Sequence, residues 1–351
     1  MSTPQTSVPH FANYINGEWV SSPKTFENRN PANTNEIVGT FGKGTAADVI
    51  AAADAAQAAF PGWAGMPAPA RGNILFKAAD ILEKKFDQLG AEMTREEGKT
   101  LPEAKGEVRR AINIFRYFAG EGSRMDGVMV PSERERVHVF AIRKPIGVVG
   151  LVTPWNFPIA IPAWKMAPAL ICGNTIVVKP ASVSPLSAWR LVEALHEAGI
   201  PRGVVNFVAG SGGELGEALV NAKPVKAISF TGSNDVGNWL HTEASKRHLR
   251  IQLEMGGKNP TIVLADADLK MAVENVCNAA FFSTGQKCTA TSRAIVEDGI
   301  YDQFVSALVE RTKKLKVGDG MQAGVEIGPC VDKGALETVL KYIGIAKREG
   351  G

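Results

Sequence analysis

Three side chains far apart in the sequence have the chemistry for covalent work on a carbonyl. Cys288 offers a thiol nucleophile within FFSTGQKCTATSR (residues 281–293), and Glu254 a carboxylate base within LEMGGKNP (residues 253–260). Asn156, within LVTPWNFP (residues 151–158), offers a neutral amide donor for a developing oxyanion. Each alone has a plainer reading. A lone cysteine is more often an inert buried hydrophobe. Here Gly285 and Gln286 loosen the backbone ahead of it, and the adjacent Lys287 favours the thiolate of a group that ordinarily titrates at about 8.5. Glu254, between Leu253 and Met255, is expected out of solvent. There it serves equally as a base near neutrality, with Gly256-Gly257 allowing it to swing, or as the buried ion-pair partner of Lys258. An asparagine between prolines is ordinarily turn chemistry. Cys172 and Cys277 lie in apolar stretches and read as structural; Cys330 has no base candidate nearby in sequence.

Composition narrows the partners. The chain has 351 residues, 45% of them hydrophobic, enough for more than one cored domain. Lys+Arg 39 against Asp+Glu 36, with no basic run, argues against nucleic acid. No apolar run approaches the roughly 20 residues of a membrane span, and the opening MSTPQTSVPHFANY has neither a basic start nor an apolar signal core. Four irregularly spaced cysteines suit free thiols in a reducing cytoplasm. No Cys-x-x-Cys or paired-histidine spacing appears, so no structural metal is expected.

The positioning elements follow from periodicity. Residues 14–20 and 25–28 read as short strands around a turn at Asn16-Gly17. Residues 45–60 read as a helix opened by a Thr45/Asp48 capping box. A helix over 70–90 stopped by Gly90 and another over 102–120 come next. Residues 128–143 alternate as a two-stranded arm turned at Pro131-Ser132; its charged part, 133–136, is a solvated face or an oligomer contact. From residue 146, β-branched runs (146–152, 175–179, 204–208, 227–230, 250–253) alternate with helices, one over 184–198 with Pro185 at its start. Such alternation implies a parallel sheet covered on both faces, with ligands at the carboxyl ends of its strands. Trp155-Asn156 and residues 180–182 and 231–233 lie just past such ends. FTGSNDVG (residues 230–237) departs from the G-x-G-x-x-G fingerprint. Its small residues still admit a pyrophosphate to helix N–H groups, or simply cap a helix at Ser233. Beyond residue 260, strands 261–264 and 294–296 alternate with helices 269–282 and 301–315 as a second α/β unit. A helix over 334–347 and the Gly350-Gly351 pair are expected to lead into a further strand, so the chain reads as C-terminally incomplete.

PWNFP, VVKPAS, FTGSNDVG, LEMGGKNP and FFSTGQKC, in that order and at those separations, resemble the NAD(P)+-dependent aldehyde dehydrogenase superfamily, essentially from Ile15 onward. The resemblance implies an α/β fold: a Rossmann-like cofactor domain with a parallel sheet (1–125 and 146–256), an oligomerisation arm (126–145) and a catalytic domain (257–351) lacking its C-terminal part. It implies that Cys288 attacks an aldehyde, that Asn156 and the Cys288 N–H hold the oxyanion, that Glu254 activates the hydrolytic water, and that Lys165 belongs to a proton relay. The dinucleotide contacts it implies are Thr153, Pro154, Trp155, Lys179, Ser182, Gly212, Gly216, Phe230, Thr231, Gly232, Ser233 and Gly256. Ser182 stands where NAD-preferring relatives often carry glutamate, so NADP+ is expected to be accepted alongside NAD+. The chain resembles bacterial α-ketoglutaric semialdehyde dehydrogenases more than the succinate-semialdehyde group. Phe157, Trp164 and Phe282, two of them where carboxylate-binding members often have arginine, would line an access tunnel suited to an apolar or aromatic aldehyde. At full length a homodimer or homotetramer is implied; a non-catalytic dinucleotide-binding protein of the same fold is the contrasting reading.

Overall fold

A computed structural model describes residues 8–350; residues 1–7 of the N-terminal stretch and Gly351 of the terminal glycine pair lie outside the described residues. The central sheet has the order β12 (Arg250–Met255), β11 (Val225–Gly232), β8 (Val148–Val152), β9 (Thr175–Lys179), β10 (Val205–Phe207), β2 (Asn13–Ile15), β3 (Glu18–Val20). Strands β8 to β12 run parallel, and β2 and β3 add an antiparallel hairpin at one edge. Asn16 and Gly17 make that hairpin: both have positive φ, 51° and 81°, the turn whose twist matches paired strands. Among the parallel strands, sequence runs outward in both directions from β8, so the order reverses between β8 and β11. Open α/β sheets bind ligands outside the strand ends at such a reversal.

Strands β8 and β9 are buried at every position, as a sheet sandwiched between helices requires. Val149, Leu151, Ile176 and Val178 face α5 (Ala160–Ile171) and α6 (Leu186–Glu197), which are backed by α2 (Ala68–Lys84), α3 (Phe86–Glu97) and α4 (Leu101–Glu121). Val148, Val152 and Val177 face the opposite way, toward α1 (Ala46–Gly65), α7 (Gly212–Asn221) and α8 (Asn234–Ser245). The period-two alternation of strand side chains therefore divides one apolar run between two cores. Helix α1 opens on the Thr45/Asp48 capping box expected of it.

A second, smaller unit pairs β13 (Asn259–Val263) with β14 (Thr291–Val296) in parallel, covered by α9 (Leu269–Phe281) and α10 (Tyr301–Lys313) around Val263, Val273, Val276, Ile300 and Phe304. Helix α11 (Lys333–Arg348) follows. Near the N-terminus, β1 (His10–Phe11), β5 (Ile37–Gly42) and β4 (Thr25–Arg29) form a separate sheet. The arm pairs β6 (Val128–Pro131) with β7 (His138–Ala141) and is exposed along both strands. Among the described residues, no helix is long and apolar enough to cross a membrane.

Two expectations are corrected. Gly90 stops nothing: the chain breaks at Lys85, and Gly90 sits inside α3, where a Cβ would meet the Lys105 side chain at 2.8 Å. The stop is Gly98, left-handed at φ 97°. Cys172, expected inside, is exposed at the end of α5, while Cys277 is buried.

Leu151, 1% exposed at the centre of the sheet, supplies the stability test. Leu151→Ala leaves a cavity between the sheet and its covering helices and is expected to cost about 2–5 kcal/mol, read as a lowered urea midpoint at unchanged slope.

Candidate active site

A cavity of about 650 Å³ opens at the carboxyl ends of β8, β9 and β11. Its wall takes Val152 from the end of β8 and Thr153, Pro154, Trp155 and Asn156 from the loop after it, Lys179 from the end of β9, Phe230 to Gly232 from the end of β11 with Ser233 just past it, and Gly212 and Gly213 from the start of α7. From the far side come Met255, Gly256 and residues 285–288, which include Cys288. The cysteine loop enters through left-handed backbone at Ser283, Thr284 and Gly285 (φ 52°, 57° and 65°), a tight reversal after α9. Asn156 Nδ2 donates to the Gln286 carbonyl at 2.8 Å, so the loop after β8 is tied directly to the segment carrying the cysteine.

The cavity wall has features that suit an anionic ligand. The N-termini of α7 and α8 both face it, and a helix N-terminus presents unpaired N–H groups to a phosphate. Nothing lies within 4 Å of where a Cβ on Gly213 would stand, leaving room for close approach. Thr153 Oγ1 and Asn156 Oδ1 are buried without a hydrogen-bond partner among the described residues. Lys179 is 7% exposed, and burial pulls its ammonium down to about 8. A ligand with both anionic oxygens, for Lys179 and the helix N–H groups, and hydroxyl donors, for Asn156 Oδ1, would meet these needs, so the residues present fit the implied cofactor.

Other expected residues are placed differently. Glu254 is exposed, not buried, and does not line the cavity, although its neighbours Met255 and Gly256 do. Its Oε1 accepts from Gln252 Nε2 at 3.4 Å. Lys165 is 7% exposed in α5; burial pulls it down to about 8 against the opposing field of Glu254. It donates to Ser229 Oγ at 2.7 Å and to Gln252 Oε1 at 3.3 Å, so hydrogen bonds run from Lys165 through Gln252 to Glu254. Lys287 is engaged with the Asn278 carbonyl at 3.3 Å, and burial lowers its ammonium. Ser182 gives its hydroxyl to the Gly210 carbonyl at 2.6 Å and lines a second hollow with Asn28 and Cys330 instead. Gly216 lies within α7, off the cavity wall. Phe157, Trp164 and Phe282 are half-buried and also off the wall; the Lys99 ammonium covers the Phe157 ring at 4.5 Å.

Three participants escaped the sequence reading. Ser229 and Gln252 are cross-strand partners in the β11–β12 register, and Gln252 lies two residues before Glu254 on the same face; that spacing was the available signal. Asn259, at the end of LEMGGKNP, donates to the Cys288 carbonyl at 2.7 Å and to the Ala290 carbonyl at 3.3 Å, anchoring the cysteine from behind.

Comparison with known proteins bears on what such a cavity does. The model described as "Aldehyde dehydrogenase family" matches residues 19–351. The chain is 48% identical over 342 residues to the alpha-ketoglutaric semialdehyde dehydrogenase of Bacillus subtilis (strain 168), covering 97% of this chain and 70% of that protein. Among solved structures, an E. coli NADP dependent enzyme matches with TM-score 0.94 at 39% identity, covering 99% of this chain and 73% of that one. Betaine aldehyde dehydrogenase from Staphylococcus aureus in complex with NAD+ matches with TM-score 0.94 at 37% identity, covering 97% and 68%.

The two buried lysines set a pH dependence. Folding strips water from their ammonium groups, so between pH about 8 and about 10.5 the unfolded chain holds more protons than the folded one. Stability therefore rises with pH across that window. Lys179→Met is expected to raise stability at pH 7 by up to about 3 kcal/mol and to remove roughly half of the rise, read by urea denaturation at pH 7 and pH 10.

Proposed function

The chain belongs to the aldehyde dehydrogenase family, and from that premise we propose that it oxidises a semialdehyde to the carboxylate with NADP+ or NAD+, using Cys288 as nucleophile. The observation that carries the reading is the shared cavity: Cys288 and Asn156 stand on its wall together with Lys179, Gly232, Ser233 and the open start of α7. Hydride does not leave an aldehyde carbon directly; a tetrahedral adduct must form first. The Cys288 thiol gives its proton to solvent, its sulfur adds to the carbonyl carbon, and the oxygen takes the negative charge. Asn156 Nδ2 has a second N–H beyond the one given to Gln286, and with the Cys288 backbone N–H it steadies that charge. A bound nicotinamide supplies the hydride acceptor. Collapse of the adduct leaves an acyl group on the Cys288 sulfur. Glu254 then takes a proton from water, the oxygen adds to the thioester, and the carboxylate leaves as the thiol is restored. Glu254 reaches the acyl group by rotating inward over Gly256-Gly257, where a Cβ on Gly256 would meet nothing within 4 Å.

Dinucleotide contacts are assigned to Thr153, Pro154, Trp155, Lys179, Gly212, Phe230 to Ser233 and Gly256, with residues 8–125 and 146–256 as the cofactor side and residues 257–350 as the catalytic side. No carboxylate stands at position 182 to repel a 2′-phosphate. For the substrate we favour α-ketoglutaric semialdehyde, on the strength of the 48% identity to a protein of that name. The alternative of an apolar or aromatic aldehyde is weakened because Phe157, Trp164 and Phe282 are off the cavity wall. Exposed Val128, Met129, Phe140 and Ile142 on the arm offer a surface for a second copy of the chain.

A panel of semialdehydes, aliphatic and aromatic aldehydes, each with NADP+ and NAD+, tests substrate and cofactor together; α-ketoglutaric semialdehyde is expected to give the largest kcat/KM. Glu254→Gln is expected to give one burst of reduced dinucleotide and then stall, with the acyl group trapped on Cys288 and visible by mass spectrometry. Steady turnover at the unsubstituted rate would remove Glu254 from the hydrolytic step.

A further inference from the structure

A buried charged cluster lies under the cavity where α3 turns into α4. Lys99 and Glu107 are 3% and 4% exposed and pair at 2.5 Å. Lys99 Nζ also donates to the Asn156 carbonyl at 2.8 Å, and Glu107 Oε1 accepts from the Ile159 and Ala160 amides at 3.1 and 3.0 Å. The loop carrying Asn156 is thus pinned from below. Glu103 stands one turn before Glu107 on α4 and points to the other side of the site. Its Oε2 accepts from Thr100 N and Oγ1 at 3.0 and 2.8 Å, closing the capping box of α4. Its Oε1 accepts from Ser283 N at 2.7 Å and Ser283 Oγ at 3.2 Å, at the left-handed turn that leads into Cys288. The connection between α3 and α4 is itself closely packed against residues 328–329: a Cβ on Gly98 would meet Pro329 at 2.9 Å, and one on Gly328 would meet the Gly98 carbonyl.

We infer that Glu103 is a positioning residue for the reaction read above: one carboxylate locks the turn before Cys288 to the same helix start whose Lys99 holds Asn156, fixing the gap between thiol and amide. Resting on that reading, the inference adds a residue that touches neither substrate nor cofactor. A cap alone does not require glutamate. The capping box of α1 is closed by an aspartate, with Asp48 Oδ2 accepting from Thr45 N and Oγ1 at 2.8 and 2.9 Å. Glutamate at 103 supplies the further methylene that brings a second oxygen to Ser283. Left without that acceptor, the Ser283 amide would release the turn, and a misplacement on the order of 1 Å is enough to cost about 100-fold in rate.

Glu103→Asp separates the two duties, because aspartate keeps the box and loses Ser283. The test measures, on this chain, the thermal midpoint, the rate of iodoacetamide labelling at Cys288 with the exposed Cys172 as internal reference, and kcat and KM. The expected result is a thermal midpoint close to that of the unsubstituted chain, a Cys288 labelling rate changed several-fold relative to Cys172, and kcat lowered about 10- to 100-fold with the dinucleotide KM within about 2-fold. Unchanged labelling and kcat would overturn the inference, whatever the midpoint does. So would a variant that does not fold, or one whose midpoint and dinucleotide affinity fall together, since the carboxylate is then a clasp of the fold. Labelling needs no turnover: a chain that oxidises no aldehyde defeats the reading in the previous section, while the labelling contrast still decides the role of Glu103.

Discussion

A strand buried on both faces spends its backbone hydrogen bonds sideways, and its side chains go into packing. The first place it can offer polar groups to a ligand is just past its end. Strand β8 is such a strand, buried at all positions with β9 and β11 beside it. The cavity wall on the sheet side therefore gathers at Thr153 to Asn156, at Lys179, and at Gly232 and Ser233. The reversal of strand order beside β8 splays the following loops apart and leaves the crevice between them. The second unit closes that crevice with the Cys288 loop, and the Asn156–Gln286 hydrogen bond joins the two walls.

Desolvation runs through the same region. Lys165, Lys179 and Lys99 are all nearly excluded from water, but they are compensated differently. Lys99 has Glu107 and Glu97 beside it, which hold its ammonium above the ordinary range despite the burial. Lys179 and Lys165 are drawn down by burial, Lys165 only partly offset by Glu254. A fully compensated lysine suits a structural tie, whereas an uncompensated one beside a cavity is ready for an anion or for proton transfer. Chemistry and architecture thus draw on one residue type, separated by the carboxylates each one meets.

Much of this was legible beforehand, for identifiable reasons. The strand runs, the Asn-Gly hairpin, the Thr45/Asp48 box and the strand-end placement of Trp155-Asn156 and Lys179 depend on local propensity and periodicity, which sequence carries directly. Gly90 misled because glycine marks a helix stop only where the backbone turns left-handed; at Gly90 its lack of a side chain instead admits Lys105. Glu254 misled because flanking apolar residues indicate the opposite face of a strand: Leu253 and Met255 point one way and Glu254 the other. Ser182 and the aromatic trio were assigned by position in a pattern, but where they face depends on how loops pack across long separations. Glu103 and Asn259 act through backbone groups of another segment, and no local spacing announces that.

The two units differ in how much apolar surface they hide. The sheet between its helices is flanked by two broad cores, while Val263, Val273, Val276, Ile300 and Phe304 are the buried centre of the β13–β14 unit. On that unit Ile262 and Ile295 stay 67% and 54% exposed. Cys288 is itself exposed at the edge of this unit, so oxidants reach its sulfur on the folded chain without any opening.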